Sequence, residues 1–406
     1  MPSPQTPAHG LPPEEFERRF GRPPAVVARA PGCVNLIGEH TDYNEGLVLP
    51  CAIDRDTRAW LAPREDGRCR VFTQNLQEQV QFETTALTRR GSWIDYVQGV
   101  VFAFAERGHA IGGFDLIVAS EIPSESGLSS SAALCVAVAT AVDAAFELGL
   151  DKRARALVAH RGESHFVGLG CGILDHFASA LGRRDHALRI DCRSQVVEAV
   201  ALPPLRLLLA HSGVTRALAR GDYKERVAEC RAAFEAARTA GLTSGAATSL
   251  RDLTIDDLPR AAAALEPRLL RRLRHVVHEN RRVDACCAAL AAADLETVGA
   301  LLKEGQRSLR DDFEVSTPEL DLLCESADAL PGVFGSRLTG AGFGGCTLHL
   351  VDAEAADEVS EELAARCEGP LGRRPPILSV RPWDGASHTP PDAAGGSAPG
   401  ESSVGS

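Results

Sequence analysis

Residues 28–53 read ARAPGCVNLIGEHTDYNEGLVLPCAI. Two apolar runs flank a short polar burst holding Glu39, His40, Asp42, Tyr43 and Asn44. The burst offers two carboxylates, an imidazole and an amide within six residues. Such a set suits several hydroxyls of a small polyol, because each hydroxyl both donates and accepts. Outward from this stretch, Ala25–Ala30 reads as a strand, and Thr57–Ala62, Cys69–Thr73 and Val80–Phe82 as more strands of an early β-rich region.

The chain has 406 residues, 44% hydrophobic, and a formal net charge of −12. That is enough for two or three domains with sizeable cores. The acidic balance argues against nucleic acid or an anionic membrane as partner. Lysine is scarce, with Lys152, Lys224 and Lys303 the whole set, and no GxxxxGK[ST] occurs. A Walker-type phosphate loop is therefore excluded. Twelve scattered cysteines without a CxxC pair read as free thiols in a reducing cytoplasm. Neither an export signal nor a membrane span is legible.

Three further stretches carry chemistry. In SEIPSESGLSSSAAL (120–134) a strand ends, a glycine turns the chain, and serines open a helix read as Ser131–Leu148. Free amides at a helix N-terminus favour an anion, whereas a serine cap with nothing bound is the plain alternative. GxSxG is absent, so a hydrolase elbow is excluded. In GSRLTGAGFGGCTLHL (335–350) four glycines crowd one loop, but a strand follows them, which argues against a dinucleotide fingerprint. The loop allows close backbone approach to a ligand or to another loop. In GESHFVGLGCGILDHFASALG (162–182) Asp175 opens an apolar helix, as a cap or as a catalytic base. Glu163, on a helix read as Asp151–Phe166, is placed to pair with a serine hydroxyl and hold magnesium.

Taken together, GEHTDYN (38–44), GLSSSAA (127–133), CGILDHFASALG with DHALRIDCRS (185–194), and GSRLTGAGFGG resemble the galactokinases of the GHMP small-molecule kinase superfamily. The resemblance covers about residues 15–382. It implies a two-lobed α/β (α+β) fold with mixed sheets and helices and an active site in the inter-lobe cleft. The expected layout is a flexible N-terminus (1–14), an N-terminal lobe (15–200), a C-terminal lobe (201–383) and a disordered tail (384–406). It implies transfer of the ATP γ-phosphate to the anomeric hydroxyl of α-D-galactose. Glu39, His40, Thr41, Asp42 and Tyr223 would bind the sugar. Glu125, Ser126, Gly127, Leu128, Ser129, Ser130 and Ser131 would wrap the nucleotide. Ser131 and Glu163 would hold Mg2+, and Asp175 would take the sugar proton. The partners expected are small molecules only, with no protein partner evident.

The sequence departs from the family pattern where it matters most. Cys33 stands in APGC where the family has arginine beside the catalytic aspartate and the transferring phosphoryl group. A thiol has neither the fork of donors nor the permanent charge. Turnover should fall substantially, with binding less affected, unless Arg29 or Arg216 substitutes. Glu125 puts a carboxylate near the phosphates, and His176 replaces the usual glutamine after the aspartate. Alternatives are a non-catalytic galactose and ATP sensor, or a kinase of another hexose.

Overall fold

A computed structural model describes residues 13–123, 127–214 and 219–390. Helix α1 (Pro13–Phe20) precedes strands β1 (Val26–Asn35), β2 (Leu47–Val48), β3 (Pro50–Arg64), β4 (Arg68–Thr73) and β5 (Glu78–Glu83). Helix α2 (Ile94–Glu106) and strand β6 (Gly113–Ser120) lead into helices α3 (Ser130–Ala145), α4 (Lys152–Arg161) and α5 (Leu174–Leu181). Strands β7 (His186–Asp191), β8 (Val197–Ala201) and β9 (Leu205–His211) follow. Next come helices α6 (Ala219–Thr239), α7 (Leu258–Ala264), α8 (Pro267–Ala291), α9 (Leu295–Asp311) and α10 (Pro318–Asp328). Strands β10 (Val333–Thr339) and β11 (Cys346–Asp352), helix α11 (Ala356–Leu371), and strands β12 (Ile377–Val380) and β13 (Ser387–Thr389) close the chain.

The strands form three sheets. Six run in the order β13-β1-β3-β6-β4-β5, four in the order β10-β11-β9-β12, and three in the order β2-β7-β8. Only β4 and β6 pair in parallel among the described strands. The first sheet packs its Ala28, Ala30, Leu61 and Leu116 face against the apolar sides of α2, α3 and α4. A second core joins Leu207, Leu209, Leu348 and Leu350 to Val283 of α8 and Leu302 of α9. Leu36, Ile37 and Leu49, from the polar burst's apolar flanks, enter that second core. The burst is thus held where the two cores meet.

Two expectations are corrected. Residues 384–390 are not a disordered tail: Ser387, His388 and Thr389 pair antiparallel with Arg29, Ala28 and Val27 at the edge of the first sheet. Just before them, the amides of Gly385 and Ala386 bond to the carbonyls of Gly182 and Ser179, at the end of α5. The strand is polar and exposed on an edge, so it carries no apolar alternation to read. Residues 391–406 and 1–12 lie outside the described residues, but Pro13 and Glu14 belong to α1 rather than to a loose N-terminus. The second correction is the helix expected over Asp151–Phe166. It is α-helical only to Arg161 and continues as a π-helical turn, Gly162–Val167. There Gly162 meets Gly99 of α2 backbone to backbone, and a Cβ on either would come within 2.7 Å of the other's backbone.

Candidate active site

Asp175 opens α5 and marks the centre of the cluster. Its Oδ1 accepts a 2.7 Å hydrogen bond from Ser129 Oγ, and Cys33 Sγ lies 3.3 Å from the same oxygen. Cys33 Sγ is also 3.2 Å from Ser129 Oγ. The geometry has a backbone cause. Strand β1 shifts register between Pro31 and Cys33, and such a bulge re-aims the side chain that follows it. Ser179 of α5 donates to Pro31 O at 2.6 Å and fixes α5 against that bulge. Gly32 is required here, since a Cβ would sit 2.6 Å from Leu128 O.

Cys33 is 1% exposed. Burial, then the Asp175 carboxylate, push its thiol well above the ordinary value, so it stays neutral. Among the described residues no arginine or lysine forms an ion pair with Asp175. Arg29 does not substitute, because its guanidinium is held by Asp56 at 2.8 Å and by Asp384 O. Arg216 lies outside the described residues.

The start of α3 has no side-chain cap from its N-cap residue. Ser129 sits at φ 58°, and its side chain does not cap the helix, having gone to Asp175 instead. Ser129 thus leaves the first amides of α3 uncapped, and uncapped amides with the helix dipole favour an anion. Gly127 takes the positive φ of 78° that the turn demands. Gly127, Leu128, Ser129, Ser130 and Ser131 thus form one turn, with Leu128 buried as its anchor. Glu125 and Ser126 lie outside the described residues.

Ser131 hydrogen-bonds Glu163, carried by the π-helical turn. Burial is the largest influence on Glu163 and would raise it, but contacts with His176 and Ser131 together hold it below the usual carboxylate range. A hydroxyl and an ionised carboxylate together suit a hard cation such as Mg2+.

The sugar-loop residues divide. Asp42 reaches the loop before α5 through Gly172, where a Cβ would fall 2.0 Å from Asp42 Oδ2. Burial pushes the Asp42 carboxyl up to about 6, and Asp175 adds to the rise while backbone amides oppose it. His40 is neutral, lowered to about 3 by burial and then by His275, with Nδ1 3.0 Å from Tyr43 Oη. Tyr223 of α6 stacks edge-on to Tyr43 at 5.6 Å and lies 5.9 Å from His40. Asp42, His40, Tyr43 and Tyr223 therefore form one polar and aromatic wall.

Glu39 and Thr41 face elsewhere. Thr41 is fully buried, and its hydroxyl bonds Gly38 O and Leu47 O, so it staples the loop instead of presenting a sugar contact. Glu39 forms an ion pair with Arg337 and accepts from Gly340 N at 3.3 Å. Burial pushes its carboxyl up to about 7, with Arg337 pulling the other way. Arg337 also pairs with Glu279 at 3.1 Å, and Glu279 with Arg282 at 2.7 Å. Gly38 N completes the network by donating to Glu279 at 2.9 Å. Arg337 and Glu279 were missed from sequence. The available signal was an arginine inside the apolar strand VFGSRLT, since a charge there must be paired.

The glycine-rich loop joins β10 to β11 as a hairpin, so no helix follows it. Its close approaches are to other loops: a Cβ on Gly342 would meet Val315 O at 2.4 Å, and one on Gly344 would meet Val214 O at 2.6 Å.

Comparison with known proteins agrees with this geometry. Residues 14–63 match the galactokinase galactose-binding signature, 95–183 the GHMP kinases N terminal domain, and 287–369 the GHMP kinases C terminal domain. A galactokinase of Roseiflexus sp. (strain RS-1) is 43% identical over 376 residues, spanning 92% of this chain and 95% of that one. The chain belongs to the galactokinase family. A second galactokinase, of Chloroflexus aggregans, is 45% identical over 84% of this chain and 88% of its own length. Among solved structures, Lactococcus lactis galactokinase complexed with galactose superposes with TM-score 0.87 at 32% identity, over 92% of this chain and 98% of that one. The Methanococcus jannaschii mevalonate kinase shares the fold, with TM-score 0.64 at 19% identity over 88% and 98% of the two chains. No described helix is long and apolar enough to cross a membrane.

Proposed function

We propose that the chain is an ATP-dependent galactokinase of reduced turnover. It transfers the γ-phosphoryl group of ATP to the anomeric hydroxyl of α-D-galactose and yields galactose 1-phosphate and ADP. Asp42, His40 and Tyr223 hold the sugar hydroxyls. Asp175 accepts the anomeric proton as the sugar oxygen bonds to the γ-phosphorus and the bond to the β-phosphate oxygen breaks. The free amides of α3 receive the phosphates. Ser131 and Glu163 would hold Mg2+, which supplies charge neutralisation at the phosphates. The scattered cysteines, none of them in a CxxC pair, suit a reducing compartment, the cytoplasm.

The observation that carries this reading is the 2.7 Å bond between Asp175 and Ser129. It supports reading Asp175 as the base, next to the start of α3 and near Asp42. Cys33 favours a second reading, a non-catalytic binder of galactose and ATP, because phosphoryl transfer depends on positive charge at the moving group. Coupled ADP release with galactose, ATP and Mg2+, compared with a hexose panel, separates the two. Galactose-dependent ADP release supports the kinase, at any rate above the sugar-free background. Binding of both ligands without ADP would establish the binder. Release with another hexose but not galactose would move the substrate.

A further inference from the structure

We propose that Glu163, Cys171 and His176 form a binding site for zinc or a similar borderline divalent cation, which antagonises magnesium by taking the Glu163 carboxylate. A ligand atom from each of the three lies within 4.8 Å of the others. His176 Nε2 stands 2.7 Å from Glu163 Oε2. Glu163 and His176 are 4% and 1% exposed. Their contact pairs Glu163 Oε2 with His176 Nε2, while His176 Nδ1 has no hydrogen-bond partner among the described residues. A buried imidazole with an unpartnered nitrogen is uncommon, and here it stands in a trio already at ligand spacing.

The donor set selects the ion. Magnesium takes oxygen ligands and rejects a nitrogen and a sulfur at this spacing. Imidazole, thiolate and carboxylate together suit zinc, with a fourth position open for water or a phosphate oxygen. The surroundings hold the ligands in place. His160 Nε2 lies 2.9 Å from Cys171 O, and as a carbonyl only accepts, that nitrogen carries the proton. The His160 ring also packs edge-on against His176 at 5.3 Å. Such outer contacts orient metal ligands. Cys171 is only partly buried, which gives the ion an entry path.

The antagonism rests on the reading of Glu163 as the magnesium ligand; the metal site itself does not. The test uses the metal-free full chain with Co2+ as probe, without sugar or nucleotide. One equivalent of Co2+ should produce a thiolate-to-cobalt charge-transfer band that Zn2+ bleaches. Cys171→Ser should abolish the band, His176→Gln should weaken cobalt binding at least ~10-fold, and Cys287→Ser should leave it intact. Magnesium-ATP should weaken cobalt binding. No band at stoichiometric cobalt, or a band that survives Cys171→Ser, overturns the site. A band indifferent to magnesium-ATP overturns the antagonism and locates the error in the magnesium assignment, whether or not the chain phosphorylates galactose.

Discussion

Two polar centres lie on either side of the sugar loop, and they treat charge in opposite ways. Behind the loop, Arg337 is fully buried between Glu39 and Glu279, with Arg282 completing the network. In front of it, Asp175 faces a neutral buried thiol at Cys33. The described residues keep a permanent cation behind the loop and put none in an ion pair with Asp175 in front of it. The contrast separates two quantities that are easily confused. Binding-site shape depends on the first centre and turnover on the second.

The sharpest way to break the comparison is to restore the charge in front. Cys33→Arg should raise kcat by ~10³-fold or more, the scale on which arginine acts in related transfers. That equals ~4 kcal/mol of transition-state stabilisation. Galactose and ATP affinities should change far less, because the missing interaction belongs to the transition state. Steady-state kinetics on both proteins decide it. A parent already turning over at ~1–100 s⁻¹, typical of kinases, would mean that the thiol is no handicap. Sensitivity to thiol reagents is no substitute for this test. Cys33 is buried with a raised pKa, so it should react more slowly than the partly exposed Cys171, Cys192 and Cys287.

The converse experiment removes the charge behind. Arg337→Met leaves Arg282 as the ion-pair partner of Glu279 and leaves Glu39 without a cation among the described residues. Breaking a buried pair from one side costs about 3–5 kcal/mol. The urea midpoint should fall accordingly, while kcat per folded molecule stays within a few-fold of the parent. A large loss of kcat with unchanged stability would reverse the assignment of the two centres.

A smaller effect tests the wall between them. In Gly172→Ala the new methyl would occupy the place of Asp42 Oδ2. The carboxylate is the flexible partner and must withdraw. A misplacement near 1 Å costs up to ~10²-fold in a well-oriented site. The loss should fall on KM for galactose, with ATP affinity unchanged. Unchanged galactose affinity would remove Asp42 from the sugar site.

How much of this was legible without coordinates follows from what each residue touches. The position of Cys33 beside Asp175, 142 residues away, could be read only because the family resemblance puts the replaced arginine beside that aspartate. The phosphate turn was read through the resemblance, since serines at a helix start serve equally well as plain caps. The Arg337–Glu279 network could not, since its partners are 58 residues apart and lie on different elements. Thr41 was misread because a buried and a ligand-facing hydroxyl look alike in sequence. The same holds for His176. Its substitution was visible, but its convergence with Cys171 and Glu163 depends on the π-helical turn, whose sequence reads as ordinary helix. The strand β13 stayed hidden because its polar edge leaves no pattern.

The smallest predicted effect is also the most specific to this pocket. Asp42 is raised to about 6 from an ordinary 3.8 because burial and the nearby Asp175 disfavour its charge. In the unfolded chain the same group ionises near 3.8, so folding takes up a proton between the two values. Its contribution to stability is therefore largest at low pH, declines as pH rises through that window, and is gone above about 6. Sugar binding runs the other way, since a hydroxyl donates more strongly to the ionised carboxylate. At pH 5 about a tenth of Asp42 is ionised, so galactose should bind ~10-fold more weakly than at pH 8. Calorimetric titration of galactose across pH 5–8 measures this, and Asp42→Asn should flatten the profile. Any slope that survives in that variant near pH 7 would return Glu39, which burial holds at about 7, to the groups that meet the sugar. A flat profile in the parent would mean that Asp42 does not meet the sugar as a carboxylate, and the wall in front of α5 would have to be redrawn around His40 and Tyr223.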